Sequence, residues 1–203
     1  MSRIRTFIAI DVDKAIRHRL LTLQETLDHS VAGVKWVEPV NIHVTLLFLG
    51  EVIDREVPEV CKAVAEACAE LPVFPMSIET VGCFPNPRRP RILWAGVGEG
   101  AEEVSELHDA LEEPLLELGC YRREDRKYTP HLTIGRMKSE RPSPELAAAL
   151  VKHAAWQGGR TVVREVLVMS SELASSGPTY TVMSRAKLLG GEPGAGEPAE
   201  GDD

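Results

Sequence analysis

One four-residue pattern occurs twice in this chain and constrains it more than any other feature. It appears as His43-Val44-Thr45-Leu46, within NIHVTLLFLG, and as His131-Leu132-Thr133-Ile134, within TPHLTIGR. Each copy sets a histidine and a threonine two residues apart in an apolar stretch. On a strand, alternate side chains share a face, so His and Thr point one way while Val44 and Leu46, or Leu132 and Ile134, enter a core. Six histidines and ten threonines in 203 residues would give roughly 0.3 such pairs by chance. Two stiff strands, each presenting an imidazole beside a hydroxyl, therefore have to be built into any fold.

The rest of the chain alternates strand and helix signals. Residues 4–11 (IRTFIAID) predict a strand. Asp13 then caps a helix whose apolar stripe is Ile16, Leu20, Leu23 and Leu27. Short strands are expected around 35–38 and 42–49. Asp54 should open a second helix, with Val57, Val60, Val64 and Cys68 on one face. Strands near 73–84 and 91–97 flank a loop, 85–90, rich in proline and arginine. A third helix carries Val104, Leu107, Leu111, Leu115 and Leu118, and Pro114 should kink or divide it. A strand at 129–136, a helix opened by Ser143-Pro144, and strands near 161–170 and 178–187 complete the order. Several strands follow one another directly, which argues for an α+β fold with antiparallel pairing. No glycine-rich phosphate loop follows the first strand.

Charge narrows the possible partners. Residues 190–203 hold Glu192, Glu197, Glu200, Asp202 and Asp203 and no base. This subtracts five from the formal −8 and leaves −3 for residues 1–189. We expect 1–189 to form one domain and 190–203 to be a disordered acidic tail. Such a balance excludes a protein that grips duplex nucleic acid by bulk charge, but it allows recognition of one phosphate in a cleft. Basic clusters at Arg88, Arg89 and Arg91 and at Arg122, Arg123, Arg126 and Lys127 stand against the acidic background. Four cysteines without a CxxC pair predict free thiols in a reducing compartment. No apolar run is long enough to span a bilayer, so we expect a cytoplasmic protein with no membrane partner.

Paired histidines suit displacement at phosphorus, in which attacking and leaving oxygens lie on opposite sides. One imidazole takes a proton from the nucleophile and the other gives one to the leaving oxygen, both near neutral pH. Thr45 and Thr133 hydroxyls can hold the equatorial oxygens. No carboxylate-rich ligand set lies beside either histidine, so no metal and no cofactor is expected. Strict alternation turns Arg136 away from His131 and Thr133 unless the strand bulges there. Trp36, Phe48, Trp94 and Tyr128 include candidates to stack on a terminal base.

HVTLLFLG and PHLTIGR, with FIAID near the start and PNPRRPRILWAGV between them, resemble the two-histidine (2H) phosphoesterase superfamily. Within it, the chain is similar to the bacterial and archaeal RNA 2′,3′-cyclic phosphodiesterases, historically named 2′-5′ RNA ligases. The resemblance covers residues 3–188. It implies a bilobal, pseudo-twofold fold, with two antiparallel sheets, helices packed outside and a central cleft. It also implies opening of a terminal 2′,3′-cyclic phosphate to a 2′-phosphate, with His43 as proton donor and His131 as proton acceptor. Thr45 and Thr133 would bind the phosphoryl oxygens, with Arg136 a further contact. A 5′-hydroxyl in place of water would give 2′-5′ ligation. The partners expected are RNA ends carrying the cyclic phosphate, tRNA fragments among them, met by a monomer. Two readings stand beside this one: a 2H phosphoesterase for a small cyclic phosphate, and a non-catalytic RNA- or nucleotide-binding module.

Overall fold

A computed structural model of the chain describes residues 2–29, 31–123, 127–174 and 177–190. The acidic tail from residue 191 and Arg126 of the second basic cluster lie outside the described residues. In chain order the elements are β1 (Arg3–Ile10), α1 (Lys14–Asp28), β2 (Val34–Trp36), β3 (Val44–Ile53), α2 (Val57–Ala69), β4 (Phe74–Phe84), β5 (Ile92–Val97), α3 (Ala101–Glu117), β6 (His131–Met137), α4 (Pro144–Lys152), β7 (Gln157–Val163), β8 (Glu165–Ala174) and β9 (Gly177–Lys187).

The helices begin where the sequence supplies caps. Asp13 accepts from the Ile16 N–H at 2.8 Å, and Ser143 accepts from the Leu146 N–H at 3.1 Å, with Pro144 in the first helical position. Asp54 does not cap α2. It starts a 3₁₀ turn, Asp54–Glu56, that feeds into the helix at Val57. Pro114 does not divide α3, because it lies in the last turn, where its missing N–H costs one hydrogen bond near a helix end. The stripe Val104, Leu107, Leu111 and Leu115 is fully buried, each such leucine stabilising the fold by about 1.5–3 kcal/mol.

The fold is α+β, and its strands form a curled antiparallel sheet. One lobe runs β7-β4-β5-β6, with β2 on the outer edge of β6, and the other runs β3-β1-β8-β9. The two expected sheets are continuous through a single residue pair, Val44↔Leu132, where the start of β3 meets the start of β6. The expected strand 161–170 is two strands. Gln157–Val163 pairs with β4, then Arg164 breaks the run and Glu165–Ala174 pairs with β1 and β9. Apolar residues on both sides of Arg164 and Glu165 let the stretch read as one strand, and only its partners show that the two halves serve different lobes.

Candidate active site

The seam between the lobes positions the site. Val44 and Leu132 are the residues after the two histidines, they pair antiparallel, and both are fully buried. Antiparallel register about that pair sets His43 toward Thr133 and His131 toward Thr45. All four side chains therefore belong to one face, opposite the buried Val44, Leu46, Leu132 and Ile134. Each histidine is anchored in the same way. His43 Nδ1 lies 2.9 Å from the Asn41 carbonyl oxygen and His131 Nδ1 lies 2.7 Å from that of Thr129, in each case two residues upstream. A carbonyl only accepts, so Nδ1 carries the hydrogen and donates it. That leaves each Nε2 to take or give a proton in the cleft. Among the described residues, neither Thr45 nor Thr133 has a hydrogen-bond partner for its hydroxyl. By contrast, the buried Thr6 donates to the Ile4 carbonyl at 3.0 Å.

Both motif strands bulge at the same place. On β3 the register steps from Ala9↔Thr45 to Ile8↔Leu47, making Leu46 the extra residue. On β6 it steps from Trp94↔Thr133 to Leu93↔Gly135, making Ile134 the extra residue. An extra residue reverses the alternation beyond it. The fifth residue after each histidine, Phe48 or Arg136, therefore rejoins the face that carries the imidazole. Phe48 is 51% exposed there, and Arg136 is exposed on its own strand.

Aromatic rings pack against both imidazoles. Phe7 stacks on His43 with centroids 4.9 Å apart, and Tyr180 meets His43 edge-on at 5.4 Å. Phe84 meets His131 edge-on at 5.0 Å and tilts against Trp94 at 5.2 Å. Trp94 lies over Gly82, where a Cβ would fall 2.1 Å from the indole, so only glycine admits the ring at that position. Burial lowers His43 to about 4, overcoming the Asn41 hydrogen bond and the nearby Asp11 carboxylate, while charge on Arg17 and His131 lowers it further. Burial also holds His131 below its ordinary value, against the raising effect of the Thr129 bond and helped by the Arg136 charge. The His131 charge is thus felt at His43, and that of Arg136 at His131 and Tyr180.

A pH-dependent stability follows. In the unfolded chain His43 takes a proton near pH 6.5, whereas in the fold it resists until about 4. Between these values the unfolded state binds more protons, so stability falls as pH falls. We expect a loss on the order of 3 kcal/mol between pH 7 and 4 from this group. Thermal unfolding should show a shallower acid loss in His43→Gln, and equal slopes would refute the assignment.

Other sequence candidates occupy different places. Trp36 donates to Asp28 of α1 at 2.6 Å, on the helix side. Tyr128 is half-buried, donates to the Thr45 carbonyl at 2.8 Å and stacks on His108 at 4.1 Å; it braces the seam. Arg89 and Arg91 both pair with Glu140, and Arg123 pairs with Glu112, so part of the charge of each cluster is engaged in ion pairs. The four cysteines are free, and burial pushes Cys68 up to about 12. Among the described residues no group of His, Cys, Asp and Glu side chains is arranged to hold a metal ion, and no helix is long and apolar enough to cross a membrane. A surface cavity of about 560 Å³ beside Arg19 and Arg160 holds neither histidine, and Arg160 there pairs with Glu99.

Sequence reasoning missed Phe7, Tyr180 and Arg17. Arg17 donates to the Pro39 and Ile42 carbonyls at 2.5 and 3.0 Å and pairs with Asp11, pinning the segment before His43 to α1. Its only local signal was a basic residue on the polar side of an amphipathic helix.

A family model described as LigT-like phosphoesterase matches residues 10–94 and 96–180, one motif in each stretch. A protein named RNA 2′,3′-cyclic phosphodiesterase from Methanothermobacter thermautotrophicus is 37% identical over 186 residues, covering 92% of this chain and 100% of that protein. One of the same name from Archaeoglobus fulgidus is 39% identical, covering 87% of this chain and 96% of its own. A crystal structure of a protein from Thermus thermophilus superposes with a TM-score of 0.77 at 27% identity, covering 92% of this chain and 99% of that one. Escherichia coli LigT complexed with 3′-AMP gives 0.76 at 22% identity, with 92% and 99% covered, and shares the fold.

Proposed function

Because the chain belongs to the LigT-like two-histidine phosphoesterases, we propose that it hydrolyses RNA-terminal 2′,3′-cyclic phosphate to a 2′-phosphate. The observation that carries this reading is the Val44↔Leu132 seam, which sets two identically anchored imidazoles about one point of the sheet. The cyclic phosphate settles between the rings. The Thr45 and Thr133 hydroxyls donate to its non-bridging oxygens, and Arg136 faces the same charge. His131 Nε2 takes a proton from water as the water oxygen bonds to phosphorus. The P–O3′ bond breaks on the opposite side, and His43 Nε2–H protonates O3′. The products are a 2′-phosphate and a free 3′-hydroxyl, with the two histidines in exchanged protonation states that solvent resets.

Buried rings with lowered proton affinity are neutral in the free protein at pH 7. This suits His131, the base. A phosphate anion bound between the rings favours imidazolium, so substrate itself supports the protonated His43 that the acid step requires. A 5′-hydroxyl in place of water forms a 2′-5′ linkage through the same geometry. The protein works without a metal, as a monomeric two-lobed unit spanning residues 1–189, in the cytoplasm, on RNA ends such as those of cleaved tRNA.

The test is an RNA oligomer ending in 2′,3′-cyclic phosphate, incubated with the protein in EDTA. The expected product is the 2′-phosphate. A 3′-phosphate would exchange the roles of the histidines, and abolition by EDTA would refute metal-free chemistry.

A further inference from the structure

We propose that the cavity on the His131 lobe seats the nucleoside that brings in an attacking 5′-hydroxyl, so that this lobe is the acceptor side of 2′-5′ joining. This rests on the activity and the acid and base proposed above, and it adds where a second RNA strand binds. Displacement at phosphorus is in line. With His131 as base, whatever is bonded to the attacking oxygen extends over the His131 lobe, while the ribose that releases O3′ lies toward His43. Water carries nothing behind its oxygen and needs no such room.

The room lies along one row of the sheet. His131 pairs with Gly96, Gly96 with Glu79, and Glu79 with Gln157. Directly opposed residues of antiparallel strands share a face, so Glu79 and Gln157 stand on the face that carries the imidazole. At about 4.8 Å per strand they lie roughly 10 and 14 Å from His131 along the sheet, a range that one nucleoside and its 3′-phosphate cover. Both line the cavity of about 560 Å³, with Ser77, Glu99, Arg160 and Arg19 of α1 on its walls.

Thr80 stands between His131 and the cavity. It is the extra residue of a bulge on β4 and sits at φ 59°, a left-handed conformation that β-branched residues rarely adopt. A Cβ on Gly96 would fall 2.8 Å from Thr80 Oγ1. Glycine opposite His131 therefore leaves the space that the threonine hydroxyl enters, and Thr80 is exposed there. Among the described residues that hydroxyl has no hydrogen-bond partner. Around the cavity, Arg160 pairs with Glu99, and Ser77 Oγ donates to Glu79 at 3.4 Å. Neither Arg19 nor Glu79 has an ion pair among the described residues, and the Gln157 amide has no hydrogen-bond partner among them. A carboxylate and an amide suit the polar edge of a base, and an unpaired guanidinium suits the phosphate that follows it. Two carboxylates on the walls make the cavity a poor site for a simple anion.

In the joining step the 5′-oxygen bonds to phosphorus as P–O3′ breaks. Its proton passes to His131 Nε2, and O3′ takes the His43 proton. The reverse reaction cuts a 2′-5′ linkage to a cyclic phosphate and a 5′-hydroxyl.

The experiment follows hydrolysis and joining together, with a cyclic-phosphate RNA and a 5′-hydroxyl RNA oligomer, and measures cleavage of a 2′-5′-linked RNA separately. Arg19→Ala combined with Gln157→Ala should raise the acceptor KM about tenfold, slow cleavage of the 2′-5′ linkage by a similar factor, and leave hydrolysis of the cyclic phosphate within about twofold. Arg19→Ala alone should reduce the log–log salt slope of the acceptor KM by about 0.7, the loss of one single-strand phosphate contact. Thr80→Gly should also weaken joining without lowering the melting temperature, because glycine accepts the left-handed backbone. Equal losses of joining and hydrolysis, or an unchanged ratio between them, would overturn the proposal. So would an unaltered protein that hydrolyses the cyclic phosphate but neither joins strands nor cuts a 2′-5′ linkage. A 3′-phosphate as the hydrolysis product would instead sink the assignment of acid and base, and put the attacking oxygen on the other lobe. If the unaltered protein hydrolysed nothing, the activity reading would fall separately. The cavity would then be judged by binding of the 5′-hydroxyl oligomer, which Arg19→Ala must weaken.

Discussion

Replacing either histidine, His43→Ala or His131→Ala, should lower kcat about a thousandfold, and replacing both should cost little more than replacing one. General acid or base catalysis contributes roughly a hundred- to ten-thousandfold per positioned group. In the proposed reaction the two act on one displacement, so each is largely useless without the other. The fold should survive. Each ring holds only one backbone carbonyl by hydrogen bond, Asn41 or Thr129, and an orphaned carbonyl open to water after truncation costs on the order of 1 kcal/mol. His43→Ala also removes a ring stacked on Phe7, yet it relieves the penalty of burying a titratable group. The measurement is single-turnover hydrolysis of a cyclic-phosphate RNA beside a thermal melt. A variant that melts normally and still turns over at a tenth of the original rate would end the two-histidine mechanism.

The centre of this site was legible because its signal is local and repeated. A His and a Thr at strand spacing, bounded by Val44 and Leu46 or Leu132 and Ile134, declare their faces without knowledge of partners. Helix stripes such as Leu107, Leu111 and Leu115 declared theirs in the same way, and they are buried. What stayed hidden depends on contacts between distant strands. The bulges at Leu46 and Ile134 exist only relative to β1 and β5, so simple alternation turned Arg136 the wrong way and gave Phe48 no special standing among the aromatics. Tyr180 reaches His43 across 137 positions of sequence, and nothing near it in the chain announces that. The split of 157–174 into β7 and β8 is invisible for a related reason. Both halves are apolar enough for a strand, and only the choice of lobe separates them. The opening of α2 failed on a smaller scale, where an aspartate at a plausible cap was used to start a 3₁₀ turn.

Thr45→Val and Thr133→Val should each lower kcat/KM about a hundredfold while leaving the melting temperature nearly unchanged. Valine matches threonine in shape and suits a strand at least as well, so the substitution deletes a hydroxyl and little else. Neither hydroxyl has a partner among the described residues, so no internal hydrogen bond is broken. Removing a single donor from a site where negative charge builds up costs roughly a hundred- to a thousandfold. The comparison that isolates this effect is Thr6→Val. That hydroxyl is buried and donates to the Ile4 carbonyl, so its loss should lower the melting temperature and spare the chemistry. The two motif threonines should also behave alike, since each follows its histidine by two residues and precedes an equivalent bulge. A loss of stability without loss of rate in either motif variant would show that hydroxyl to be structural. Unequal losses, large for Thr133→Val and negligible for Thr45→Val, would place the phosphoryl oxygens on the Arg136 side alone, and the twofold relation would then describe the backbone but not the reaction.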